Sequence, residues 1–229
     1  MSRGTQHVVL LLVGLSVAMM LARGTYLNYV KPSLWPWLLI AAVVLVVLGA
    51  AGVVHELRNA STPDHGHVHR NWLTWVLLVP IAMIAFIVPP PLDAAGANPP
   101  PPVSAPQARP FPPLPDGPAP EVPLPEAVMR AAADSEKSLD NRTITLTGFV
   151  VHTGGRVDLG RVVIVCCAAD AQLARVHLQG PGVDVPEDTW LRVVGRIEPG
   201  SSHPDDGFVP TMTVTEVQRI DKPKNTYAY

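Results

Sequence analysis

A chain of 229 residues has room for one large domain or two small ones, but with 26 prolines and 16% charged residues unevenly spread, its parts must be read separately. Residues 1–120 carry six Lys/Arg and four Asp/Glu, whereas residues 121–229 carry eleven against fifteen. The second half is therefore mildly acidic. Repulsion from phosphates, with no basic stripe to offset it, excludes nucleic acid as a partner.

The first predicted element is a membrane span over about residues 8–27. Val8 to Ala22 contains no charge, and with Arg23 snorkelling the run reaches the roughly 20 residues that a bilayer requires. A cleavable signal peptide is the rival reading. Its basic region would be Arg3 alone, no small-residue cleavage site follows, and a second apolar run begins at once. That second span, 34–54, is uncharged and entered through Trp35 and Trp37, residues suited to a membrane interface. A third, 72–88, is also uncharged, with Trp72 and Trp75 at one end and Pro80 inside, so a neighbouring helix is expected to satisfy the carbonyl that proline frees. The expectation for 1–88 is thus three transmembrane helices in a multi-pass protein of the cell membrane. Arg3, Arg58 and Arg70 on one side against Arg23 and Lys31 on the other place the N-terminus inside and the C-terminal half outside the cytoplasm.

Residues 89–124 read as a proline-rich linker. Sixteen of the thirty-seven residues from Pro89 to Pro125 are proline, a density that breaks helices and sheet ladders and favours an extended, semi-rigid spacer. Beyond it, 125–229 is expected to be a soluble domain. Pro125 to Leu139 predicts a short helix ended by Asp140-Asn141. The period then changes to two, and five strands follow at Thr143–Val151, Arg161–Cys167, Leu173–Leu178, Thr189–Ile197 and Pro210–Ile220, separated by glycine turns. Five short strands in about eighty residues suit a small all-β barrel of the OB kind, which leaves no exposed sheet edge.

Two constellations carry candidate chemistry. Between the second and third spans lie His55, His65, His67 and His69, with Glu56 and Asp64, a set of borderline ligands fit for zinc or another divalent metal; the bland alternative is a polar loop with incidental histidines. In the soluble domain Cys166 and Cys167 are adjacent. A trans peptide sets their Cα atoms about 3.8 Å apart, too close for an unstrained disulfide. On a regular strand their side chains would leave on opposite faces, and one would be a small buried hydrophobe. If the strand breaks there, both sulfurs and Asp170 converge on one side as ligands for a borderline-soft cation, with His152 or His177 as a possible fourth. No GxSxG, HExxH, P-loop or dinucleotide fingerprint is present, so no enzyme is expected.

The run Ile164-Val165-Cys166-Cys167-Ala168-Ala169-Asp170-Ala171 also carries a resemblance. With Tyr29-Val30-Lys31-Pro32, the histidine-bearing loop, Asp188 to Gly195 and the terminal Tyr227-Ala228-Tyr229, it resembles the DUF1980 family of bacterial membrane proteins regarded as permease subunits. The resemblance implies a multi-span permease as partner and a link to divalent metal supply. The chain departs from that family in its long proline tether and in Thr226, where a proline is expected. The resulting expectation is an accessory subunit of a membrane transport complex. Two alternatives stand beside it: a membrane-tethered OB-like module for an extracytoplasmic protein or polysaccharide, and a stand-alone thiol or metal-handling protein.

Overall fold

The computed structural model describes residues 3–59, 91–93 and 107–229, which fall into two compact units, Met1–Pro90 and Pro91–Tyr229. In the first unit, helix α1 (Arg3–Arg23) and helix α2 (Trp35–Asn59) pack against each other. Both are long and apolar enough to cross a membrane. Helix α1 begins earlier than the predicted span and stops at Arg23, because Gly24 turns into the left-handed region at φ 72° and a short 3-10 turn, Thr25–Asn28, follows. Helix α2 runs past the predicted end at residue 54 to Asn59, so His55 stands on a helix rather than on a loop. The expected third span, 72–88, lies outside the described residues.

Small residues let the two helices approach closely. A side chain on Gly49 would meet the Leu11 backbone at 2.6 Å, and one on Gly14 would meet Val46 at 2.9 Å. The order of these contacts makes the pair antiparallel. In lipid, where tails are as apolar as leucine, such close backbone packing is a main source of helix association.

The second unit holds helix α3 (Leu124–Ala133) and six strands: β1 (Ile144–Thr153), β2 (Arg156–Val163), β3 (Gln172–Gln179), β4 (Trp190–Ile197), β5 (Thr211–Arg219) and β6 (Tyr227–Ala228). The pairings run β1-β4-β5-β3-β2-β6, and β1 also pairs with β2, so the circuit through the first five strands returns to its start. Gly154-Gly155, at φ 58° and 79°, forms the two-residue turn between β1 and β2 that only glycine-like backbones enter without strain. A register shift between Val194 and Gly195 opposes the pair to β5, where Thr215 donates its hydroxyl to the Val194 carbonyl.

Three boundaries differ from the sequence reading. Helix α3 ends at Ala133, six residues short of the predicted Leu139. The Asp134 carboxylate accepts the amides of Glu136 and Ser138 and the Ser138 hydroxyl, offering the chain a turn in place of another helical one. Burial raises the Asp134 pKa, but these hydrogen bonds and Arg130 outweigh it, and the net shift is downward. Strand β2 starts five residues earlier than predicted and stops at Val163, and β6 is a sixth strand beyond the expected five.

Two apolar clusters order the unit. The larger joins Leu124 and Ala127 of α3 to Leu146, Leu159, Val176, Leu191 and Met212 of the sheet. The smaller gathers Phe149, Val151, Val162, Ile164, Ala171, Trp190 and Tyr227 on the other face. Residues ahead of α3 join the same compact unit. Val122 is buried and exchanges with β1 through Thr145, Arg109 bonds to Ala133 and Ser135, and the Leu92 amide donates to the Tyr227 hydroxyl at 2.8 Å. Arg130, itself buried, ties this stretch down by reaching Glu126, Ser138 and the Pro112 carbonyl.

The most demanding polar element is Asp158. It is fully buried on β2, opposite His177 on β3, with His177 Nδ1 at 2.5 Å and Arg175 at 3.4 Å. Removing one member of a buried charge cluster leaves its partners desolvated and unpaired, at a cost of about 3–5 kcal/mol. Asp158→Ala should therefore destabilise the sheet by that amount, read as a lowered denaturant midpoint of the β-sheet circular dichroism of the detergent-solubilised chain. A shift under about 1 kcal/mol, the range of an exposed pair, would show that the cluster contributes little.

Candidate metal centre

The site lies on the loop from Val165 to Asp170, between β2 and β3. Both ends are pinned. Ile164 and Ala171 are fully buried in the smaller cluster, and the Ile164 amide donates to the Ala228 carbonyl of β6. Between those anchors the chain turns outward: Val165 is 72% exposed and Cys166 is exposed. With the ladder ended at Val163, the loop amides need new acceptors. Asp170 supplies them. Its Oδ1 accepts the Val165 amide at 2.8 Å, and its Oδ2 accepts those of Cys166 and Cys167 at 2.8 and 3.2 Å.

A 3-10 turn, Ala168–Asp170, brings that carboxylate back over the cysteines. Cys167 is its cap: the Asp170 amide donates to the Cys167 carbonyl at 3.0 Å, while the Asp170 carboxylate accepts the Cys167 amide. Cys167 is extended, with φ −152° and ψ 170°. The strand break thus removes the alternation that would have sent the two thiols to opposite faces. The sulfurs lie 3.8 Å apart, and the Cys166 thiol donates to Asp170 Oδ2 at 2.8 Å. The three ligand atoms all fall within 4.8 Å of one another.

These distances can be compared with a metal's needs. Two thiolates each about 2.3 Å from a tetrahedral zinc are about 3.8 Å apart, which is the observed separation of the sulfurs. The corresponding sulfur-to-oxygen edge is about 3.6 Å, so an ion entering the site would take the place of the Cys166 proton and widen the gap to Asp170 by about 0.8 Å. Residues Cys166, Cys167 and Asp170 are therefore able to hold a borderline-soft divalent cation.

The other residues singled out from the sequence are placed elsewhere. His177 is held inside the sheet by Asp158, and its Nε2 is buried without a hydrogen-bond partner among the described residues. Strand register explains why it does not serve the loop: Asp158, its cross-strand partner, is five residues back from Val163, about 16 Å along the strand. His152 is paired across from Val157, near the opposite end of β2, and exposed. His55 is exposed on α2, and His65, His67 and His69 lie outside the described residues. Asp158 itself was not foreseen as a polar centre. A carboxylate flanked by the apolar Val157 and Leu159 was the available signal.

The hydrogen bond between Cys166 and Asp170 moves both acidities. Chiefly through it, the Cys166 pKa is pushed up to about 11 and that of Asp170 down to about 2. For Asp170 the depressed value means that the loop's added stability is fully present above the ordinary carboxylate range and is lost as pH falls toward about 2. For Cys166 the raised value favours the folded loop below the ordinary thiol range, and that advantage is lost as pH rises through about 11. Alkylation consumes the thiolate, so Cys166 should react with iodoacetamide more slowly than a free thiol at pH 8, and Asp170→Asn should accelerate it. Mass spectrometry of the labelled peptide over time measures this. Equal rates in wild type and variant would show that Asp170 does not hold the thiol proton.

The profile of the DUF1980 C-terminal domain family matches residues 126–229, a stretch that includes all six strands and the cysteine loop. No curated protein and no solved structure matches the chain. Residues 126–229 therefore form a DUF1980 C-terminal domain.

Proposed function

We propose that the chain is an accessory subunit of a membrane transport complex, and that its C-terminal domain presents a divalent cation, zinc or one of similar softness, at Cys166, Cys167 and Asp170. The observation that carries this reading is the 3.8 Å separation of two sulfurs on an exposed loop, equal to the edge of a tetrahedral thiolate site. Supporting it, the loop is ordered by Asp170 and two buried anchors, so the ligands are set before an ion arrives. The closed circuit of pairings through β1 to β5 is read as a barrel of the OB kind, a scaffold that carries its function on loops. Helices α1 and α2 serve as membrane anchors in a multi-pass arrangement, with the C-terminal domain outside the cytoplasm and a multi-span permease as partner.

The test is metal content. The full chain, purified in detergent under reducing conditions and loaded with Zn²⁺, should retain a single ion through desalting and lose it to a strong chelator. The Cys166→Ser/Cys167→Ser double variant should retain little, since serine matches the size but binds softer metals poorly. Unchanged far-ultraviolet circular dichroism of the variant would show that the fold persists. Equal zinc retention by wild type and variant, or none by either, refutes the reading.

A further inference from the structure

We propose that the loop is an exchange site: an ion held there keeps one coordination position open, to be filled by a thiolate or imidazole of a partner protein that delivers or receives it. The proposal rests on the reading of Cys166, Cys167 and Asp170 as metal ligands, and four observations carry it further.

The first is the ligand count. A structural zinc site closes its tetrahedron with four protein ligands, whereas a site that acts on its ion leaves one position open. Among the described residues the cluster has three donors. The second is the fixed position of the two histidines that the sequence offered as a fourth ligand. His177 is locked against Asp158 in the sheet interior, and His152 sits beside the β1–β2 turn, at the far end of β2 from the loop. Neither reaches the sulfurs without breaking strand register.

The third observation is that the protein itself satisfies the loop's backbone. In a structural metal site the binding energy is folding energy, and the apo form unravels. Here the carboxylate of Asp170 satisfies three successive amides, and Ile164 and Ala171 hold the ends. An ion can then arrive and leave without unfolding the loop. The fourth is access. Val165 at 72% exposure and the exposed Cys166 place the sulfur face in solvent, where a second protein can approach it directly.

The exchange step is associative and leaves the oxidation state of the metal unchanged. An incoming thiolate or neutral imidazole adds at the open position. A bond from the ion to a loop sulfur then breaks, and the freed thiolate takes a proton from solvent. When that sulfur is Cys166, its new S–H returns to Asp170 Oδ2 in the arrangement seen here. Repetition at the second sulfur, with a further partner ligand displacing the Asp170 carboxylate, breaks the last bonds to the loop and releases the ion to the partner.

Cobalt(II) is the probe, because its visible bands report both thiolate ligation and coordination sphere. The full chain in detergent micelles, loaded with Co²⁺ under anaerobic reducing conditions, should show a sulfur-to-cobalt charge-transfer band. Millimolar imidazole should then shift the ligand-field bands while the charge-transfer band persists. In a parallel arm, transfer of Zn²⁺ from the chain to a chromogenic chelator should accelerate in proportion to added glutathione. A ligand-field spectrum unmoved by imidazole, with a transfer rate independent of glutathione, would mean a closed site and overturn the proposal while leaving the metal reading intact. Absence of the charge-transfer band in the wild-type chain, or its persistence in Cys166→Ser/Cys167→Ser, would overturn the metal reading and the proposal with it.

Discussion

The carboxylate of Asp170 is the constraint on which the rest of the candidate site depends. Three consecutive amides, of Val165, Cys166 and Cys167, lose their ladder partners where β2 stops, and one side chain takes all three. Unpaired amides favour a return to strand, to water or to a different turn. Because Asp170 answers them, the chain follows a single path, and that path turns both thiols to the side of the carboxylate. The same group then meets the Cys166 thiol, and the two acidities diverge to about 11 and about 2. Structure and chemistry here are one hydrogen-bond network.

Such a network is fixed only if the ends of the loop are fixed, and the smaller apolar cluster does this. Ile164 and Ala171 are both fully buried among Phe149, Val162, Trp190 and Tyr227. Tyr227 is brought there by β6, a two-residue strand that pairs in parallel with Val162 and Val163. Arg161, one residue earlier, reaches the carbonyl of Asn225 and lies over the ring of Trp190 at 4.8 Å. A short terminal strand thus has a disproportionate effect: it covers the edge of β2 next to the point where that strand ends and the loop begins.

Much of this was legible in the sequence, for reasons that differ by element. Two adjacent cysteines followed by an aspartate are hard to place on a regular strand, because alternation wastes one of them, and the break that this suggested is present. The alternating strands β1, β3, β4 and β5 were readable from their period, with boundaries within one or two residues. Trp190, at the start of the alternating run of β4, is 7% exposed. The start of β2 was not legible. Its opening residues Arg156, Val157, Asp158, Leu159 and Gly160 look like the far side of a turn, since a central aspartate and a glycine argue against a strand. The partners on β3, His177 and Arg175, make a buried Asp158 tolerable, and pairing is a long-range fact that no local pattern contains. The same omission made His177 look available to the cysteines. The end of α3 escaped because an Asp-to-Ser side-chain turn competes with a helix whose apolar spacing continues beyond it. The strand β6 escaped because two residues show no period at all.

The two polar centres of the domain show how burial sorts otherwise similar ligands. Asp158 and His177 form a carboxylate and imidazole pair at 2.5 Å, chemically as fit for a metal as anything on the loop, yet both are closed from solvent and committed to each other and to Arg175. Their position on facing strands makes them a rigid part of the sheet, where exchange of partners would break the ladder. Cys166, Cys167 and Asp170 sit outside the ladder, and their mutual bonds leave the backbone of the sheet untouched when they are broken and remade. A donor set that has to take and release an ion belongs on such a loop, and a polar group that has to be permanently satisfied belongs between strands. The sequence offered histidines, cysteines and aspartates without rank; strand register and the position of one break assign them to these separate tasks.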